Sequence, residues 1–307
     1  MATTADQVTG HDRPGAAHDA RRRLLAGLPV TERRLELAGV PTAVLEGGDG
    51  PSLVLLHGSG EFAPMWLRVL PGLAATHRVV APDLPGHGAS AAPPGPLDAD
   101  RMLAWLGELL ERTCPGPPVL VGRGLGGAVA ARFAVEHGDR LDRLVLVDSF
   151  GLAPFDPDPA FGQALRRFAE EPTPDTRDGL FRQCFVDLDR LSGQLGERWT
   201  ALADYALDRA RTPAMAAAMD GLLPELVLPA IPPADLDRIP VPVTLIWGRQ
   251  DLQARLAVAE AAAAHHSWPL RVIDGAGDDP PLEQPAAFLA ALRDSLAAGA
   301  TAGRAER

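Results

Sequence analysis

Six short apolar runs, at 53–56, 78–81, 119–121, 144–147, 243–247 and 271–273, restrict the fold of this chain more than any other feature. Most are rich in Leu or β-branched residues and apolar on both faces, as strands of a parallel sheet covered by helices are. Helical patterns at 97–113, 125–137, 252–266 and 282–296 lie between or after them. Strands alternating with helices predict a mostly parallel, doubly wound α/β sheet. Ligands of such sheets bind beyond the carboxyl ends of the strands. Chemistry is therefore expected in the residues that follow each run.

Two strand-like pieces, 33–37 and 42–45, precede the turn Gly47-Gly48-Asp49-Gly50. Residues 1–29 read as a loose polar tail to about 20 and a short helix at 21–27. The alternation stops once. Between Val147 and Val243 no strand candidate occurs for about 90 residues, far beyond an ordinary connection. That stretch carries amphipathic helical patterns at 161–168, 180–191, 199–207 and 215–223. It leaves and rejoins at neighbouring strands, which favours a helical cap over a second independent domain. The expected organisation is a core of 30–152 and 239–299, an inserted cap of 153–238 over the sheet's carboxyl edge, and a tail of 300–307.

A chain of 307 residues can bury a sizeable core without disulfides or metals. Its 46% hydrophobic and 22% charged residues are an ordinary globular composition. No apolar run approaches the roughly 18 residues of a membrane span. The net charge is −11, and all 29 basic residues are Arg. That balance argues against nucleic acid and anionic membranes as partners. Cys114 and Cys184 have neither disulfide nor metal-ligand spacing. Residues 1–29 lack the apolar stretch of a secretory signal. A reduced, cytoplasmic protein is expected, with no metal, no cofactor and no phosphate-binding loop. The apolar cap helices point to a small, largely apolar molecule as ligand.

Several motifs follow strand ends: His57-Gly58-Ser59-Gly60-Glu61, Gly122-Arg123-Gly124-Leu125-Gly126-Gly127, Asp251 after Trp247-Gly248-Arg249-Gln250, and Asp278 after Gly275-Ala276-Gly277. Together with Ala81-Pro82-Asp83-Leu84-Pro85-Gly86-His87-Gly88-Ala89-Ser90, they stand in an order that resembles the α/β-hydrolase superfamily from about residue 45 to residue 296. The loop after His57 and the cap look most like its carbon–carbon-bond hydrolases and related esterases.

That resemblance implies a nucleophilic Ser on a strained strand-to-helix turn, Gly-x-Ser-x-Gly, a His base before the last helix, and a carboxylate. This chain departs twice. Gly124 stands at the Ser position and Asp278 at the His position, and only Asp251, at the acid position, keeps its type. Glycine offers no nucleophile. A carboxylate is a far weaker base at neutral pH unless its pKa is raised. Serine hydrolysis needs all three groups, so the acyl-enzyme route is expected to be lost. An oxyanion hole survives, because its donors are backbone N–H groups, here expected from Leu125 and from Ser59 or Gly60. Glycine also accepts the positive φ of the elbow freely.

Asp251 and Asp278 form an acid–base pair if they meet, since two close carboxylates do not both ionise cheaply. Each also precedes a predicted helix, where Asp serves as an N-cap. Arg123 either pairs with Asp278 or a substrate carboxylate, or points away from the pocket. Glu61 either faces the pocket or is a solvated loop carboxylate. His57, Asp83 and His87 read as supports of their turns. His265 and His266 read as cations at a helix C-terminus, and Cys184, Trp66, Trp105 and Trp199 as core. Asp148 ends a strand but has no His to orient. Three functions stay open. One is a ligand-binding or regulatory protein with a degenerate triad. Another is a lyase, cyclase or isomerase using Asp251 and Asp278. The third is a hydrolase whose nucleophile is water, Ser59 or a cap residue.

Overall fold

The computed structural model describes residues 16–297. Its strands are β1 (Thr31–Leu37), β2 (Val40–Gly47), β3 (Ser52–Leu56), β4 (Arg78–Pro82), β5 (Val119–Arg123), β6 (Arg143–Val147), β7 (Val243–Gly248) and β8 (Leu270–Ile273). Its α-helices are α1 (Ala16–Leu25), α2 (Leu70–Ala74), α3 (Ala99–Thr113), α4 (Leu125–His137), α5 (Pro159–Glu170), α6 (Pro174–Cys184), α7 (Leu188–Leu195), α8 (Glu197–Ala210), α9 (Pro213–Leu222), α10 (Pro233–Leu236), α11 (Leu256–His266), α12 (Pro280–Glu283) and α13 (Pro285–Ala297). No helix among the described residues is long and apolar enough to cross a membrane.

All eight strands join one sheet in the order β1-β2-β4-β3-β5-β6-β7-β8. β2 is antiparallel to both β1 and β4, and every other neighbouring pair is parallel. Every residue of β3, β5, β6 and β7 is buried. This is why their runs are apolar on both faces. β1, at the sheet edge, buries only Leu35 and Leu37. Trp105 of α3, Phe133 of α4 and Ala259 of α11 pack into the core on one face of the sheet. Leu70 of α2 and Phe288 and Leu292 of α13 pack on the other.

Small residues bring α4 close to the sheet. A Cβ at Gly126 would stand 2.6 Å from the carbonyl oxygens of Leu56 and His57. Only glycine permits that approach, and it sets the first turn of α4 beside the loop after β3. Helices α5 to α10 fill the interval between β6 and β7. They touch loops at the carboxyl edge. Tyr205 of α8 meets Phe62 edge-on at 4.6 Å, Arg209 donates to the Gly88 carbonyl, and the Asp278 N–H donates to the Cys184 carbonyl at 3.0 Å. Helix α1 adds a tie. Buried Arg21 pairs with Glu32 at 2.6 Å and Asp83 at 2.9 Å, and its guanidinium reaches the Tyr205 hydroxyl.

Several element bounds differ from the sequence expectation for visible reasons. The first helix starts at Ala16 rather than 21, because Ala20 and Leu24 are buried against α8 and its neighbours. The helix expected over 180–191 is two, α6 and α7. Tertiary bonds capture the backbone at the break: Glu283 accepts from the Val186 N–H at 2.7 Å, while the Cys184 carbonyl takes the Asp278 N–H. Asp187 then caps α7 through the Arg190 N–H. Helix α11 starts at Leu256, since residues 252–255 form a turn bonded to Asp251. The first part of the 1–29 segment and the tail 300–307 lie outside the described residues.

Phe133 is fully buried, with the Arg140 guanidinium 5.5 Å from its ring centroid. Phe133→Ala is expected to lower the unfolding free energy by about 3–5 kcal/mol, measured by urea denaturation.

Candidate active site

β5 runs into α4 through Gly124, at φ 50° and ψ −116°. The positive φ is the strained turn that raises a residue above the sheet edge. A Cβ built there meets only Gly58 Cα at 3.4 Å and the Phe150 ring at 3.6 Å, ordinary contacts. The elbow therefore has the shape and room for a side chain, and carries none.

The Gly126 N–H donates to the His57 carbonyl at 3.1 Å, fixing the His57 loop against the elbow. Among the described residues, the N–H groups of Leu125, Ser59 and Gly60 have no partner. Leu125 opens α4, where the helix dipole favours negative charge. His57 is part of the scaffold. Its Nδ1 lies 2.9 Å from the Gly58 carbonyl, and its Nε2 accepts from the Leu84 N–H at 3.0 Å. Burial lowers its pKa, so the ring is neutral.

Arg123 turns into the site and is buried, with 2% of its side chain exposed. Its guanidinium pairs with Glu61, donates to the Asp278 carbonyl, and lies 3.3 Å from Asp278 Oδ1 and 3.6 Å from Asp279 Oδ2. Glu61 is held on its other oxygen by the Gly58 N–H at 2.8 Å. Burial opposes the charge on Arg123, but Asp279, Asp278 and Asp148 outweigh that and raise its pKa. The cation that the sequence offered to a ligand is thus paired with the protein's own carboxylates.

Asp251 Oδ1 accepts from the N–H groups of Gln253 and Ala254 at 2.7 and 3.0 Å. Its buried Oδ2 has no partner. Asp251 therefore caps a turn, not a helix. Asp279, not Asp278, caps α12, through the Leu282 N–H. Asp278 is left to face Arg123 and the Cys184 thiol. Burial raises the pKa of Asp251 well above the carboxylate range, and the charge of Asp278 raises it further. Asp278 is also raised by burial, with Arg123 opposing.

Sequence reasoning set Asp148 aside, read Asp279 only as part of the helix start Asp278-Asp279-Pro280, and overlooked Glu283. Asp148 has φ 42°, no exposure, one oxygen bonded to the Gly248 N–H at 2.8 Å and one without a partner. Burial and then Asp251 raise its pKa. Its place at the end of β6 was the available signal. Glu283 accepts from the N–H groups of Gly277 and Val186, both at 2.7 Å, and so clasps the inserted helices to the loop that carries Asp278. Nothing in the linear sequence marks that reach. Burial pushes Glu283 up to about 7 and Asp279 up to about 6. Cys184 is a weak nucleophile here, because burial and Asp278 raise its thiol pKa.

A sheet of this order, a strand–elbow–helix turn and an acid after β7 define a class of protein. Residues 53–292 match the alpha/beta hydrolase family, and the chain belongs to it. It is 34% identical to the pimeloyl-[acyl-carrier protein] methyl ester esterase of Chromobacterium violaceum, covering 66% of this chain and 77% of that one. Identity to the Aeromonas hydrophila esterase of that name is 41%, but over 33% of this chain and 39% of that one. Among solved structures it resembles 2-hydroxy-6-oxo-6-phenylhexa-2,4-dienoate hydrolase from Rhodococcus sp. strain RHA1. The TM-score is 0.76 at 27% identity, covering 88% of this chain and 99% of that one.

Arg123→Met strands buried carboxylates without their cation and is expected to cost about 3–5 kcal/mol. Arg123→Lys keeps the charge without the fork and should recover part of that in urea denaturation. Glu283 titrates near 7 folded and lower unfolded. The folded state therefore favours its protonated form, and its contribution is present at low pH and lost as pH rises through 7. The stability of the natural protein relative to Glu283→Gln should fall between pH 5 and pH 8, and a relative stability that grows with pH contradicts this sign.

Proposed function

We propose that this protein is a cytoplasmic, ligand-binding or regulatory member of the family that does not perform serine hydrolysis. One observation carries the reading: the elbow residue is Gly124, and the position opposite it holds Asp278 bound to Arg123. Gly124 has no side chain to attack a carbonyl, and no imidazole base stands at the position of Asp278. The unpartnered N–H groups of Leu125, Ser59 and Gly60 remain able to hold an oxygen. The ligand proposed is a small, largely apolar molecule whose carbonyl oxygen lies on these donors.

A second reading has its own support. Burial and then the charge of Asp278 raise the pKa of Asp251, which favours its protonated form. With a backbone oxyanion hole beside it, the pair would suit acid–base chemistry such as a lyase, cyclase or isomerase step.

Aryl-ester turnover near neutral pH tests the first reading. The natural protein is expected to match the buffer background and to resist labelling by a fluorophosphonate. Gly124→Ser/Asp278→His is expected to gain label, since the elbow has room for the Ser Cβ. Turnover with a burst by the natural protein overturns the reading. For the second reading, any turnover found in a substrate panel should be lost in Asp251→Asn and in Asp278→Asn.

A further inference from the structure

We propose that Asp237, His265 and His266 form a binding site for a divalent transition metal of the zinc class. The site lies at the amino-terminal edge of the sheet. Asp237 ends α10 shortly before β7 begins, and the two His residues end α11 shortly before β8 begins. It is therefore at the opposite end of the strands from the elbow, and independent of the function proposed there.

One donor atom from each of the three residues lies within 4.8 Å of the other two. Asp237 Oδ1 and His266 Nδ1 are 2.7 Å apart. Ser267, in the left-handed region at φ 56°, ends α11. Trp268 beyond it stacks on the His266 ring at 4.4 Å and 24°. The His266 side chain is 4% exposed, so its ring is oriented in advance. The His265 ring stands edge-on to it at 4.6 Å. His265 and Asp237 are exposed.

Two imidazoles and one carboxylate form the donor set that Zn²⁺ takes with an open fourth position. Ca²⁺ and Mg²⁺ prefer sites built of oxygen alone. A net charge of −11 favours cation uptake. The linear spacing, Asp237 to His265, gave no hint of this trio. The metal would pin the segment returning from the inserted helices to α11, and binding to the folded state alone raises its stability.

Calorimetric titration of the full chain with ZnCl₂ at pH 7.5 tests the proposal. One equivalent is expected, weakened at least tenfold in His266→Ala and in Asp237→Asn, and unchanged in Cys114→Ser/Cys184→Ser. Zinc should raise the melting temperature of the natural protein but not of His265→Ala/His266→Ala, and MgCl₂ should raise neither. Absence of zinc binding, binding untouched in His265→Ala/His266→Ala, or an equal response to Mg²⁺ overturns it.

Discussion

A guanidinium buried at the carboxyl edge of the sheet must find its counter-charges within the protein. Arg123 finds them in Glu61, Asp278 and Asp279, drawn from the loop after β3 and the loop after β8. Charges removed from water are tolerated only when paired and hydrogen-bonded. This requirement holds both loops to the end of β5. The Asp278 loop in turn holds the inserted helices, through the Cys184 carbonyl and through Glu283. The break between α6 and α7 is thereby tied to the same loop that pairs with Arg123.

The carboxylates outnumber the cation. Asp148 and Asp251 lie in the same buried region, each with one oxygen bonded to backbone N–H groups and one without a partner. Burial raises the pKa of both acids, and neighbouring acids raise it further. The elbow backbone is built without these acids. Its shape rests on Gly122, Gly124 and Gly126, whose close neighbours are mostly backbone atoms. The shape of the elbow therefore does not depend on which side chains surround it.

The alternation of two-faced apolar runs with helical patterns was enough to place the sheet, α4 and the interval filled by helices. Gly124 at the turn from β5 into α4 was legible as well, because it sits in an ordered motif. Other features were not. That Asp279 caps α12 while Asp278 faces Arg123 depends on which of two adjacent Asp residues meets the helix. Glu283 acts through a turn of α12 that carries it back to Gly277. Asp148 looked idle because its partners, Asp251 and Asp278, are about a hundred or more residues away along the chain.

Local pattern by itself determined the periodicity of the elements and the identity of the elbow residue. Side-chain period and residue type are properties of neighbours in sequence. Only the tertiary structure decided whether Arg123 would point outward or inward, which carboxylates would share its charge, and where a predicted helix would break. Those outcomes depend on burial, and burial is decided by which distant segments the sheet order brings together.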